Sequence, residues 1–401
     1  MSVGHPPARR VIAWMCVAHV VSLAGFSTYP ALLPDLQAEW GMSGAEAGLL
    51  SGLFFAGYMV AVPVLTTLTD RIDARRIYFA STLAAAAGSA GFGLFAQGAA
   101  SGGAFQLLVG AGVAGTYMPG LRALTDNTAG RAQSRGIAFY TAIFGVGMAG
   151  SVLLAGEVAA RAGWRAAFLA AALGPPLAGA IVARLLPPRR PARGVASARL
   201  LDFRPVLRNR AAMVFALGYA VHCWELFGTR SWVVAFLTSA ERSSGGGWLL
   251  GPIAITAVAN AISPAASILG NELAMRSGRE RVIRVAMSAS GALTCVLGFL
   301  LGLPWYALAM LVALHMILVM SDSSALTAGL VEAADPAHRG AAMALHSTLG
   351  FGAGFIAPLA FGAVYDAAAG GAPAAAWGAA YISLGIGGLL APLVLRWRAR
   401  A

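Results

Sequence analysis

The sequence predicts an all-α membrane protein with twelve transmembrane helices in two six-helix pseudo-repeats. Three observations carry that prediction. The 401 residues are 58% hydrophobic and only 11% charged, whereas a soluble domain is about a quarter charged. Mean hydropathy is +0.73, and apolar runs of the roughly 20 residues that a spanning helix needs recur along the chain. Two unrelated markers also return at one offset. Asp70-Arg71-Ile72-Asp73-Ala74-Arg75-Arg76 follows the second run and Ala274-Met275-Arg276-Ser277-Gly278-Arg279-Glu280-Arg281 follows the eighth, placing Arg71 and Arg276 205 positions apart. Arg135-Gly136 opens the fifth run and Arg339-Gly340 the eleventh, 204 apart. Independent markers sharing one offset indicate a duplicated six-helix unit, and parallel repeats of that size build one large transporter class.

The apolar runs fall near 12–34, 47–68, 77–97, 104–125, 137–159, 165–186, 211–238, 248–271, 282–303, 305–330, 340–364 and 375–395. The first follows a basic N-terminus but is too long for a signal peptide and reads as a retained span. Residues 187–210 form the one long polar connection, rich in Pro and Arg. They divide the chain into an N-terminal half (1–186), a basic cytoplasmic linker (187–210) and a C-terminal half (211–401). Glycine and alanine crowd the spans, as in Gly110-Ala111-Gly112-Val113-Ala114-Gly115 and Gly350-Phe351-Gly352-Ala353-Gly354. Such residues let helix backbones approach closely. The Gly-x-Gly-x-x-Gly spacing at Gly110 has no strand before it and reads as packing rather than as a dinucleotide loop.

All 28 basic residues are arginine, and the formal net charge is +12. Their positions exclude nucleic acid as the reason. Twenty-two, from Arg9 and Arg10 through the cluster after span two to Arg396, Arg398 and Arg400, fall in alternate connections; Arg161, Arg165 and Arg242 fall in the others. That is the positive-inside pattern, which places both termini in the cytoplasm of an inner-membrane protein, with a bacterial inner membrane expected. Cys16, Cys223 and Cys295 all lie in apolar runs, so no disulfide framework is indicated.

Ionisable groups inside a bilayer are costly and mark function by default. Span seven carries the run Ala220-Val221-His222-Cys223-Trp224-Glu225-Leu226-Phe227-Gly228-Thr229-Arg230. His222 and Glu225, three apart, share a face with Thr229 and Trp232, while Arg230 points elsewhere. Glu225 therefore needs a proton, a substrate or another helix as its partner. Trp224 and Trp232 offer stacking surface or packing. Asp322 sits in the polar run Met320-Ser321-Asp322-Ser323-Ser324 of span ten, roughly 6 Å from mid-span at 1.5 Å per residue. Arg122 in span four has similar depth, so Arg122 and Asp322 form a candidate interdomain gate, with Arg122–Asp126 on one helix as the local alternative. His19, His315 and His346 lie in spans one, ten and eleven, mostly as packing residues. Soft-ligand spacings (Met15 and Cys16 with His19, Met316 with Met320, Met343 with His346) suit copper-type ions. Tyr29-Pro30, Pro63, Tyr117 with Pro119, Asn260 with Pro264, and Pro358 mark expected helix irregularities.

These residues resemble the major facilitator superfamily over the whole chain. The family's Gly-x-x-x-Asp-Arg-x-Gly-x-Arg-Arg signature after span two is matched at Asp70, Arg71, Arg75 and Arg76, with Thr66 and Asp73 where glycines are expected. The second copy keeps Gly270 but has Ala274 in the acidic place. Gly163-Trp164-Arg165, with Phe168, is similar to the family's Gly-Trp-Arg start of span six. Gly150-Ser151 replaces the Gly-Pro pair of antiporters, and Gln106 stands where a proton-coupling arginine opens span four. The resemblance implies the major facilitator fold and a cytoplasmic gate at Asp70, Arg71, Arg75 and Arg76. The physics of that cluster stands apart from the name: an acid at a helix end accepts from a neighbouring helix N-terminus, and arginines bind carboxylates or lipid phosphates.

The expected function is secondary active transport of a small polar or amphipathic solute by alternating access, with proton coupling through Glu225. Substrate and coupling residues are Glu225, His222, Arg122, Asp322, Trp224, His19 and Arg230. Expected partners are a small-molecule substrate, the lipid bilayer and protons, with no nucleic acid, no cofactor, no resident metal and a monomeric state. A copper-type metal transporter and a non-transporting receptor or sensor are the alternatives. An enzyme is excluded by the lack of any nucleophile–base motif, zinc signature or phosphate loop at a membrane surface.

Overall fold

The computed structural model describes residues 7–188 and 203–396. Most of the expected linker (189–202, with Arg189, Arg190, Arg193 and Arg199) and the terminal Arg398 and Arg400 lie outside the described residues. The described chain is all-helical, without a strand. Among the described residues, nine stretches are long and apolar enough to cross a membrane by length and composition: Gly44–Leu68, Ala74–Phe95, Gly130–Leu185, Arg210–Ser243, Pro252–Ser277, Arg279–Leu300, Trp305–Ala333, Arg339–Ala368 and Pro373–Ala391.

The first expected span is divided into α1 (Ala8–Ser22) and α2 (Thr28–Trp40). Then come α3 (Gly44–Leu68), α4 (Ala74–Phe95) and α5 (Ala99–Asp126). Spans five and six run through α6 (Gly130–Ala142) and α7 (Phe144–Leu185). Gly163 interrupts α7 at φ 80° and ψ 168°, in the left-handed half of the map that glycine alone visits freely. A short α8 (Arg204–Arg208) leads to α9 (Arg210–Ser243), α10 (Pro252–Ser277) and α11 (Arg279–Leu297). Span ten is split into α12 (Trp305–Met320) and α13 (Ser323–Ala333), followed by α14 (Arg339–Ala368) and α15 (Pro373–Arg396).

The breaks are not where proline predicts them. Helices run without interruption through Pro63, Pro119, Pro264 and Pro358; only Pro30 stands near a discontinuity, in the first turn of α2. Inside a bundle, neighbouring groups re-satisfy the backbone that proline frees.

Two compact units result, Met1–Tyr29 with Gly57–Ala198, and Pro30–Ala56 with Arg199–Ala401. Residues 30–56 thus cluster with the C-terminal helices, which a simple division at the linker does not anticipate. Within the second unit, Asp366 of α14 accepts from the backbone N–H groups of Gly44 (2.7 Å) and Ala45 (2.8 Å), neutralising the free N-terminus of α3. One turn on, a Cβ at Gly48 would fall on the Pro358 carbonyl, so only glycine permits that approach.

Arginines finish helices in the first unit. Arg165 donates to the carbonyls of Gly93 (3.1 Å) and Ala96 (3.3 Å) at the end of α4 while its guanidinium lies 4.3 Å over the Trp164 ring. Those contacts supply the physical reason for a Gly-Trp-Arg sequence after the Gly163 break. Arg75 donates to Ala183 (3.2 Å) and Leu186 (2.8 Å) at the end of α7. Asp73 caps α4 by accepting from the Arg75 N–H at 3.0 Å, which explains an acid where a glycine was expected.

Candidate functional site

The polar run of span seven is the middle of α9, and the structure turns it into the second unit rather than toward lipid. His222, Cys223, Glu225, Thr229 and Trp232 are all buried. Glu225, 2% exposed, receives three hydrogen bonds. Thr294 and Ser290 of α11 donate through their hydroxyls at 2.9 and 3.2 Å, and His315 of α12 approaches through Nε2 at 3.0 Å. The other ring nitrogen of His315 has no partner among the described residues. Two hydroxyls and the ring Nε2 thus converge on one carboxylate, an arrangement suited to a negative charge. Three donors on one carboxylate is how an interior tolerates such a charge.

One turn earlier on α9, His222 Nδ1 lies 2.7 Å from an oxygen of Asp322. That carboxylate sits at the discontinuity between α12 and α13, where helical backbone pairing is broken. Neither Asp322 oxygen has a well-directed hydrogen bond among the described residues. Nearby, Tyr219 stacks on His346 of α14 at 3.7 Å, and His346 Nε2 is 3.3 Å from the Thr327 hydroxyl.

Arg230 faces away from Glu225, as its spacing predicts. Its Nη2 meets the Ser263 hydroxyl of α10 at 3.3 Å and the thioether sulfurs of Met316 and Met320 of α12 at 3.7 and 4.0 Å. In the first unit, His19 is fully buried, stacked on Tyr140 at 4.2 Å with the Tyr117 and Phe144 rings at 5.4 and 5.9 Å.

The structure gives several of the expected residues defined partners. Arg122 bonds Asp126 on its own helix at 3.0 Å, the local alternative, and Asp322 faces His222 of α9 at 2.7 Å. A residue four along the same helix needs no chain reorganisation to reach. The Trp224 indole donates to the Ser383 carbonyl of α15 at 3.0 Å and that of Trp232 to the Pro358 carbonyl of α14 at 3.0 Å, so both tie helices together. His315, read as a packing residue, is a partner of Glu225. Of the cytoplasmic cluster, Arg75 serves the end of α7, while Arg71 and Arg76 are exposed and Asp70 is half-buried.

Ser290 and Thr294 were missed. They stand four apart on α11 and so share a face, a spacing that isolates two hydroxyls in an apolar span but does not reveal which helix they meet.

The sequence profile of the Major Facilitator Superfamily matches residues 15–358. The chain belongs to that superfamily, and it is a membrane transporter. Among solved structures, this superfamily member is similar to a bacterial homolog of the human lysosomal transporter Spinster in an inward-facing, unoccupied conformation, at 17% identity and TM-score 0.76, over 99% of this chain and 96% of that one. The nucleoside transporter NupG is similar at 15% identity and TM-score 0.73, over 98% and 99%. The POT family transporter PepTSo is similar at 14% identity and TM-score 0.74, over 98% of each. At these identities the likeness concerns the superfamily's fold. No curated protein matches the sequence.

Proposed function

We propose that the chain is a proton-coupled secondary transporter that moves a small polar or amphipathic solute by alternating access between two repeats. The observation that carries this reading is Glu225, a buried carboxylate on α9 held by donors from α11 and α12. Ionised, it accepts from Ser290, Thr294 and His315. Protonated, it has one O–H to donate and gives up part of that acceptor capacity. A proton therefore changes how α9 is bonded to α11 and α12, and an event of that kind can bias a rocking bundle. His222 of α9 and Asp322, at the junction of α12 and α13, form a second proton-exchanging pair. Arginine placement supports an inner-membrane setting with cytoplasmic termini, and a monomer meets the demands of the mechanism.

The copper-type alternative is weakened by Arg230. Its guanidinium lies against Met316 and Met320, the soft-ligand pair on span ten, so a metal cation there would sit beside a fixed positive charge.

Proteoliposomes with an imposed pH gradient, incubated with a small-molecule cell extract and read by mass spectrometry, test the function. Wild type should accumulate at least one solute only while the gradient persists, and Glu225→Gln should abolish the gradient dependence while the protein still folds. Accumulation that is indifferent both to the gradient and to Glu225→Gln would sink the coupling role.

A further inference from the structure

We propose that Arg230 is the docking point for an oxyanion group, a carboxylate or phosphate, on the transported solute. The proposal rests on the transporter reading above and names the chemistry of its cargo.

The argument begins with what arginines elsewhere in the molecule do. Arg75 donates to two carbonyls, Arg165 to two carbonyls, and Arg279 makes a two-pronged pair with Glu332 at 2.5 and 2.8 Å. Each structural guanidinium has oxygen acceptors with substantial negative charge. Arg230 has none. Its contacts are one hydroxyl and two thioethers, neutral and, in the case of sulfur, weak acceptors. Its Nε is enclosed and without a partner among the described residues. No carboxylate among the described residues forms an ion pair with Arg230, and Glu225 and Asp322 face histidines instead.

A guanidinium stays charged at every physiological pH, so this cation cannot escape the cost of its surroundings by losing a proton. It is also not sealed in, because the residue as a whole is only half-buried. A planar fork of donors with no carboxylate beside it among the described residues matches a carboxylate or phosphate in two-pronged geometry. The surrounding groups suit a site that fills and empties. Met316 and Met320 have flexible side chains that can yield to a ligand. Asn260, on the same face of α10 as Ser263 and one turn earlier, has a buried side-chain oxygen with no partner among the described residues, and Ser263 in turn donates to the Asn260 carbonyl at 2.5 Å. Arg230, Ser263 and Asn260 thus bring a charge, a hydroxyl and an unsatisfied amide to adjoining positions on α9 and α10.

The test uses purified full-length protein at one fixed pH, with no gradient, and reads the apparent melting temperature against millimolar benzoate, inorganic phosphate and short-chain phosphatidic acid. Benzamide and benzylamine serve as neutral and cationic counterparts. Benzoate or phosphate should stabilise the wild type, and whichever acts identifies the oxyanion. Arg230→Gln should weaken its apparent affinity by about 10- to 100-fold, the loss of a charged hydrogen-bond pair, and Arg230→Lys should retain part of the effect. Should Arg230→Gln fail to fold, the Lys variant and Ser263→Ala, each expected to weaken binding by severalfold, carry the comparison. The proposal is overturned if no oxyanion stabilises the protein, if benzamide or benzylamine does so equally, if the Arg230 variants bind as wild type, or if phosphatidic acid alone acts. Glu225→Gln should leave this binding intact, so failure of proton coupling and failure of the anion site give different results.

Discussion

His19 and His222 stand 203 positions apart, within two residues of the offset that relates the repeats. Around each, the bundle builds an imidazole–aromatic stack: His19 on Tyr140 in the first unit, His346 on Tyr219 in the second. The charges differ. His222 faces Asp322 at 2.7 Å. The residue 204 positions before Asp322 is Met118, and what meets His19 from that helix is the ring of Tyr117. Both His19 nitrogens are buried without a partner among the described residues. The buried carboxylates among those residues, Glu225 and Asp322, both belong to the second unit. Around its buried histidine the first unit offers aromatic rings, whereas the second also brings both buried carboxylates to that region.

The largest expected effect tests the charged copy. Asp322→Ala leaves His222 without its buried partner, and removing one member of a buried ion pair costs about 3–5 kcal/mol. Calorimetry or denaturant unfolding in detergent should register it as a marked loss of stability. The double variant His222→Ala/Asp322→Ala should lose less than the sum of the two single changes, because partners share one interaction. Additive losses would show that the 2.7 Å approach carries no coupling, and the contrast with His19 would shrink to a difference of neighbours.

The second unit's polar centre was half legible in the sequence. A carboxylate amid span seven announces itself by cost alone, and the i, i+3 and i, i+5 spacings separate Arg230 from the face of Glu225. The spacing of Arg122 and Asp126 likewise named a pair that forms. What periodicity along one helix cannot supply is which helix lies opposite. His315 is 90 residues from Glu225 and Ser290 is 65 away, so these partners follow from bundle packing and from no local pattern. The helix breaks show the same limit. Proline marks a missing donor, but a bundle can absorb that loss, and the chain parts instead at 23–27 and at 321–322, where no proline stands.

A smaller effect probes the hydrogen bonds rather than the charge pair. Thr294→Val keeps the shape of the side chain but removes the donor 2.9 Å from Glu225. Losing one hydrogen bond to a charged group costs about 1.5–3 kcal/mol, and His315 and Ser290 remain to share the carboxylate. The gradient dependence of transport should shift with it, since ionised Glu225 is less well held. A destabilisation as large as that of Asp322→Ala would mean that the two acidic sites form one network instead of two.

The smallest expected effect lies in the first unit, and it decides whether the comparison holds. His19→Phe replaces a ring whose two nitrogens find no partner with one that has none to satisfy. The aromatic contacts with Tyr140, Tyr117 and Phe144 can persist, and removing an unsatisfied buried polar group is close to neutral or stabilising, within about 1 kcal/mol. Unfolding should therefore be nearly unchanged, and the gradient-driven accumulation expected of wild type should survive. Loss of that accumulation without loss of stability would place a proton-carrying or substrate-binding group in the first unit. His19 would then be a histidine waiting for a ligand, and the contrast between aromatic surroundings and charged ones would fail at that residue.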